Sequence, residues 1–170
     1  MLPVIHYILN DYECNIKKNI ILAPFLALLI SCKLADPMVR QQQVDEIASK
    51  LGGQSYVFEA QSALPMSTKI IHLTSGYTLK VRPDTIAAHL PYFGRAYSAG
   101  NPTEGGIKFE SIDFKYEVSE KKKGVSRVSI EINDNPNRYK LSLLIGELGN
   151  TTLYVEQINK QAISFTGHID

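Results

Sequence analysis

The segment IDFKYEVSEKKKGVSRVSIEIND, residues 112–134, decides the fold. Apolar side chains recur at every second position. Ile112, Phe114, Tyr116 and Val118 point one way, while Asp113, Lys115, Glu117 and Ser119 point the other. A period of two is that of a strand with one buried and one wet face. Glu120-Lys121-Lys122-Lys123-Gly124 reads as a hairpin tip, after which Val128, Ile130 and Ile132 alternate against Arg127, Ser129 and Glu131. The pattern runs on toward the C-terminus. Asn133-Asp134-Asn135-Pro136-Asn137 is a turn, Tyr139, Leu141, Leu143 and Ile145 form the next inward row, and Gly149-Asn150 reverses the chain. Leu153 with Val155, then Ile163, Phe165 and Ile169, complete the series. Strands joined by turns this short pair antiparallel, because parallel pairing needs a long crossover.

Upstream, Tyr56–Gln61, Lys69–Thr74 and Tyr77–Arg82 are β-rich pieces, with Ser75-Gly76 a tight turn. Asp84 is placed to cap a short helical turn ending before Pro91. Further back, Asp36-Pro37 is an N-cap followed by a first-position proline. Val44, Ile47, Ala48 and Leu51 then follow helical spacing, and Gly52-Gly53 stops the helix. Arg40, Gln41, Gln42 and Glu46 fall on its solvated face. The expected fold is mainly β, bordering on α+β. It is an antiparallel meander sheet or partly closed barrel with one N-terminal amphipathic helix, forming a single β-rich domain over residues 37–170.

The chain has 170 residues, 44% hydrophobic and 21% charged, which suits one globular domain. Eighteen Lys and Arg against 17 Asp and Glu leave a net charge of +1. That balance speaks against binding nucleic acid or anionic membrane by bulk charge. Two cysteines build no disulfide framework, and no zinc-type Cys and His spacing occurs.

Residues 20–30 read IILAPFLALLI without a polar side chain, behind Lys17 and Lys18. As a helix the run spans about 16 Å, roughly half of a bilayer core, which is the length of a signal h-region and not of a membrane span. It closes on Leu29-Ile30-Ser31-Cys32, a tetrapeptide that resembles a bacterial lipobox. The resemblance implies cleavage between Ser31 and Cys32, diacylglyceryl transfer to the Cys32 thiol and acylation of the freed amine. Residues 1–31 would then be an N-terminal extension with signal peptide, and 32–36 a lipidated tether. The competing reading is a buried apolar element with Cys32 as an inert core thiol. Asp11 and Glu13 ahead of the basic pair are unusual for a signal, so translation is expected to start downstream of Met1, near Ile16, the alternative being a genuine longer cytosolic tail. Removing residues 1–31 takes two charges of each sign, Asp11, Glu13, Lys17 and Lys18, and leaves the net charge unchanged.

Leu90-Pro91-Tyr92-Phe93-Gly94-Arg95-Ala96-Tyr97 is the densest functional candidate, with three aromatic rings and a guanidinium in eight residues. Tyr92, Phe93, Arg95 and Tyr97 are the candidate binding residues for a glycan, a peptide or another envelope protein. The plainer reading wedges these rings onto the core and pairs Arg95 locally. With Gly105-Gly106-Ile107-Lys108-Phe109, the lysine hairpin and the strands Leu153-Tyr154-Val155 and Gln161 to Gly167, the octapeptide resembles family 4251 of the domains of unknown function. That resemblance spans about residues 40 to 169. It implies a secreted or lipid-anchored protein of a Bacteroides-like Gram-negative bacterium and carries no activity.

No catalytic residue, metal ligand or cofactor emerges. His72, sharing a strand with Ile70, reads as a structural histidine, His89 sits in no motif, and His168 reads as exposed. Gly146-Glu147-Leu148-Gly149 lies in a hairpin and not before a helix, which disfavours phosphate binding. The first expectation is a non-enzymatic binding or interaction module held in the cell envelope through lipid on Cys32. Lys33, in place of an acidic residue, points to the outer membrane over the inner, with the domain periplasmic or surface-facing. The alternative is an envelope hydrolase of cell-wall or glycan material working through carboxylates such as Glu110 and Asp113.

Overall fold

The computed structural model describes residues 37–66, 69–94, 106–122, 124–133, 138–158 and 160–170, with the backbone but not the side chains of 121 and 122. Residues Met38–Asp170 form one compact unit.

Helix α1 spans Pro37–Gly52, with Pro37 at its first position. It buries Ile47 and Leu51, half-buries Val44 and leaves Ala48 exposed. Its end is a Schellman closure. The Ser55 amide donates to the Lys50 carbonyl at 3.1 Å and the Gln54 amide to the Leu51 carbonyl at 3.3 Å. The left-handed residue is Gln54, with φ of 50°, one place beyond the two glycines that signal the stop.

Ten strands follow: β1 (Tyr56–Pro65), β2 (Ile71–His72), β3 (Thr78–Val81), β4 (Ile86–Leu90), β5 (Ile107–Ser111), β6 (Phe114–Lys122), β7 (Val125–Ile132), β8 (Tyr139–Gly146), β9 (Asn150–Gln157) and β10 (Lys160–Ile169). They form one sheet in the order β5-β4-β3-β1-β10-β9-β8-β7-β6, every pair antiparallel, with β2 added to β1. The sheet's two outer strands, β5 and β6, are consecutive in the chain and separated only by Ile112 and Asp113. The antiparallel order gives them the same direction, so they are the two halves of one bent strand. Its first half pairs with β4 and its second with β7. A strand that bends and changes partners is how a sheet turns a corner. The result is a nearly closed up-and-down barrel whose staves are β1, β3, β4, the bent β5–β6, β7, β8, β9 and β10.

Alternation along each stave fills the interior. Phe58, Leu79, Ile86, Leu90, Ile107, Ile130, Ile132, Leu143, Ile145, Leu153, Ile163 and Phe165 are fully enclosed. Contacts across the barrel confirm the curl. The Phe109 ring on β5 stacks on Tyr139 of β8, centroids 4.4 Å apart, and the Tyr56 hydroxyl on β1 lies 3.3 Å from that of Tyr116 on β6.

The inward rows are as expected except at the bend. Phe114 and Tyr116 are half-buried, but Ile112 is 81% exposed and Val118 is exposed. Ser111 takes the inward place, its hydroxyl accepting from the Asp113 amide and donating to the Asp113 carbonyl, each at 3.2 Å. The two-residue link breaks the alternation, so Ile112 belongs to neither half. Residues 83–84 form a bend leading directly into β4, not a helical turn capped by Asp84. Ile86, Ala88 and Leu90 are buried in a period of two, and that alternation wins over the helix propensity of the two alanines.

Candidate binding surface at the barrel mouth

Helix α1 lies against one end of the barrel. Its Ile47 methyl group approaches Gly149 in the β8–β9 turn, and a hollow between helix and hairpins is lined by Val44, Leu51, Val125 and Ile145. A polar tie fixes this end. The Tyr116 hydroxyl donates to the Leu51 carbonyl at 3.2 Å, which leaves it to accept from the Tyr56 hydroxyl. Burial first, and the Tyr116 phenol second, hold the Tyr56 hydroxyl far above the ordinary tyrosine range. Burial also raises Tyr116, against a smaller lowering by its bond with Tyr56.

These phenols stay neutral in the folded chain, whereas in the unfolded chain they ionise near pH 10. The stability they supply is complete below about pH 10 and falls as the pH rises toward the raised native values, at about 1.4 kcal/mol per pH unit for each group. Urea midpoints measured between about pH 8 and about pH 11 should therefore drop steeply, and more gently in Tyr56→Phe. An equal drop in both proteins would refute the role of Tyr56.

The opposite end carries the described part of the octapeptide, residues 90–94. Leu90 closes β4, and the chain then crosses the mouth to β10, where the Tyr92 hydroxyl donates to the Gln161 carbonyl at 2.9 Å. Tyr92 is half-buried against the core, and the Lys160 ammonium sits 5.3 Å from its ring centroid. Gly94 packs so closely on this ring that a side chain there would strike the phenol. Tyr92 is thus a wedge, as the plainer reading holds. Phe93, beside it, is 40% exposed. Arg95 and Tyr97 lie outside the described residues, as do Ser31 and Cys32.

Two glutamines missing from the sequence-based candidates line the mouth. Gln157 continues the inward row of Leu153 and Val155, and Gln161 lies in the register shift of β10 between Lys160 and Ile163. The side-chain oxygen of Gln161 is shielded from solvent and accepts no hydrogen bond among the described residues. An unsatisfied buried carbonyl costs about 1–3 kcal/mol, so a donor arriving there is rewarded. The signal for Gln157 was an amide in phase with the apolar row. A flanking hollow of about 260 Å³ is lined by Arg138, Lys140, Glu156, Gln157 and the exposed Ile158.

The remaining candidates are dispersed. Glu110 and Asp113 are exposed on either side of Ser111. His72 is exposed on the short β2 and not a buried structural residue, because β2 pairs only with β1 at the rim. His168 is half-buried beside Gly149 and not exposed, because β10 runs almost to the chain's last residue within the sheet. Among the described residues, no group of three or more His, Cys, Asp or Glu could hold a metal ion.

A packed antiparallel barrel, capped by one helix and crossed at its other end by an aromatic segment, places the chain among small up-and-down β-barrel domains. The sequence model of the family described as "Domain of unknown function (DUF4251)" matches residues 39–169, and the chain belongs to that family. The crystal structure of a DUF4251 family protein from Bacteroides eggerthii has a similar fold. Its TM-score is 0.59 at 17% identity, covering 75% of this chain and 86% of that one. No curated protein matches the chain.

Proposed function

We propose that the chain is a non-enzymatic binding module, lipid-anchored through Cys32 in the envelope of a Gram-negative bacterium, that takes a glycan or peptide at its barrel mouth. The observation that carries this reading is the exposed Phe93 ring, which follows Tyr92 in the chain; Tyr92 in turn has the Lys160 ammonium over its ring and is bonded to the main chain of Gln161, whose side-chain oxygen has no donor among the described residues. A ring face, an acceptor and a cation on a rigid rim match the hydroxyl, amide and carboxyl groups of such ligands. The packed barrel supports it too, because it holds Tyr92, and with it the rim, in one place. The anchor rests on the Lys17-Lys18 pair, the apolar run 20–30 and the lipobox-like Leu29–Cys32.

The full chain applied to glycan and peptide arrays should bind a restricted set of ligands. Phe93→Ala should weaken that binding roughly tenfold or more, as truncation of a central aromatic does, with its melting temperature unchanged. Equal binding by Phe93→Ala and the parent chain, or binding to nothing on either array, would sink the proposal.

A further inference from the structure

The bent stave leaves one edge of the sheet open. Strand β5 gives one of its edges to β4, and β6 gives the opposite edge to β7. Past the bend, the edge that β5 shares with β4 has no strand beside it, and β6 stands last in the sheet order. Among the described residues, no main-chain hydrogen bond from a turn, loop or second strand reaches that edge between Phe114 and Glu120. A row of unpaired amides and carbonyls is a template for a further strand. Two aliphatic side chains border it. Val118 belongs to the inward row yet is 48% exposed, and Ile112, just ahead of the strand, is 81% exposed. Charges commonly guard such an edge, and here Lys115 and Glu117 are both exposed on the outer face with opposite sign.

Opposite charges two positions apart make the strand complementary to itself. Antiparallel pairing of two copies about Tyr116 sets Lys115 of each opposite Glu117 of the other, and Phe114 opposite Val118. The ion pairs then lie on the outer face. The apolar pairs lie on the inner one, where Val118 gains the cover it lacks in a single chain. Other registers are penalised. Centring the pairing on Lys115 sets that lysine against itself, and centring it on Glu117 does the same for the glutamate. Sliding further toward the bend is blocked, because β4 already occupies that edge of β5. We propose that β6 is the interface for a second copy of this chain, joined edge to edge about Tyr116 into a two-fold dimer with one continuous sheet. The Tyr116 hydroxyl keeps its bond to the Leu51 carbonyl, since the new contact is made by main chain. A net charge of +1 sets little repulsion between the copies. The interface is separate from the mouth and requires neither the ligand nor the anchor proposed above.

Sedimentation velocity of the full chain over a concentration series should show a reversible monomer–dimer equilibrium that weakens with added salt. Lys115→Glu and Glu117→Lys each set like charges at both ionic contacts of the seam. Each should weaken dimerisation at least about tenfold, and each should keep its fold, because the replaced side chains are exposed. An equimolar mixture of the two variants brings opposite charges back to both contacts and should dimerise as the parent chain does. That rescue requires the Tyr116-centred register, since a surface elsewhere on the barrel would not couple these two positions. A chain that stays monomeric up to about 1 mM overturns the proposal. So do single variants that dimerise as tightly as the parent, or a mixture no tighter than either variant alone.

Discussion

Phe165→Ala is expected to destabilise the protein by about 4 kcal/mol, the range in which burying and then deleting a phenyl ring falls. Phe165 is completely enclosed, on the inward face of β10, opposite Ala63 on β1 and Leu153 on β9. The large ring faces a small alanine across one pair, and Ala63 cannot fill the space that truncation leaves. Interiors close-packed in this way relax only in part, and the cavity adds to the lost transfer energy. A domain of this size has roughly 5–15 kcal/mol in hand, so the change removes a large share of it. The melting temperature should fall on the order of 15 °C. A loss below about 1.5 kcal/mol in urea titration would mean that the barrel centre is loosely packed, contrary to the enclosure of Phe165.

Gly167→Ala is the second large effect, and it adds atoms where Phe165→Ala removes them. Gly167 lies two residues beyond Phe165 on β10, opposite Ala60. Between Ala60 and Ser62 the register slips, leaving Gln61 as the extra residue of a β-bulge. The bulge presses the β1 backbone onto β10. A methyl group on residue 167 would be driven into the Glu59 carbonyl and would lie 3.0 Å from the edge of the Phe58 ring. Backbone cannot swing aside as a flexible side chain can, so β1 and β10 must separate at the seam where the first and last staves join. The expected cost is about 3 kcal/mol, at the upper end of overpacking effects. Equal urea midpoints for Gly167→Ala and the parent chain would show that the seam gives way easily.

The barrel was legible in the sequence wherever one face is wet and the other buried. The rows Val128-Ile130-Ile132 and Tyr139-Leu141-Leu143-Ile145 are inward throughout. Ile112 misled because an alternation count has no term for a bend, and the link 112–113 shifts the phase. Strand β4 was hidden because Ala87 and Ala88 fit helix and strand alike, and β5 because Gly106 precedes only a five-residue run. The candidate site was half legible. The described part of the octapeptide, residues 90–94, does lie at the mouth, but whether a tyrosine is bait or wedge depends on the partner of its hydroxyl. That partner is a carbonyl 69 positions further along the chain. Gln157 was missed because an amide counts as polar in any pattern search, although it stands where the next apolar residue of its row would be, and Gln161 because the register shift of β10 between Lys160 and Ile163 has no sequence signal.

Joining the first stave to the last also sets a timetable for folding. Residue 58 pairs with residue 169, and the Val57 and Asp170 main chains exchange hydrogen bonds at 2.9 and 3.2 Å. Such a pairing spans nearly the whole domain and carries a large loop-closure entropy, which slows folding. While the chain emerges from the ribosome, β1 has β3 on one side and nothing on the other until β10 is complete. The N-terminal half therefore keeps an open edge until β10 has emerged, and the barrel closes only then.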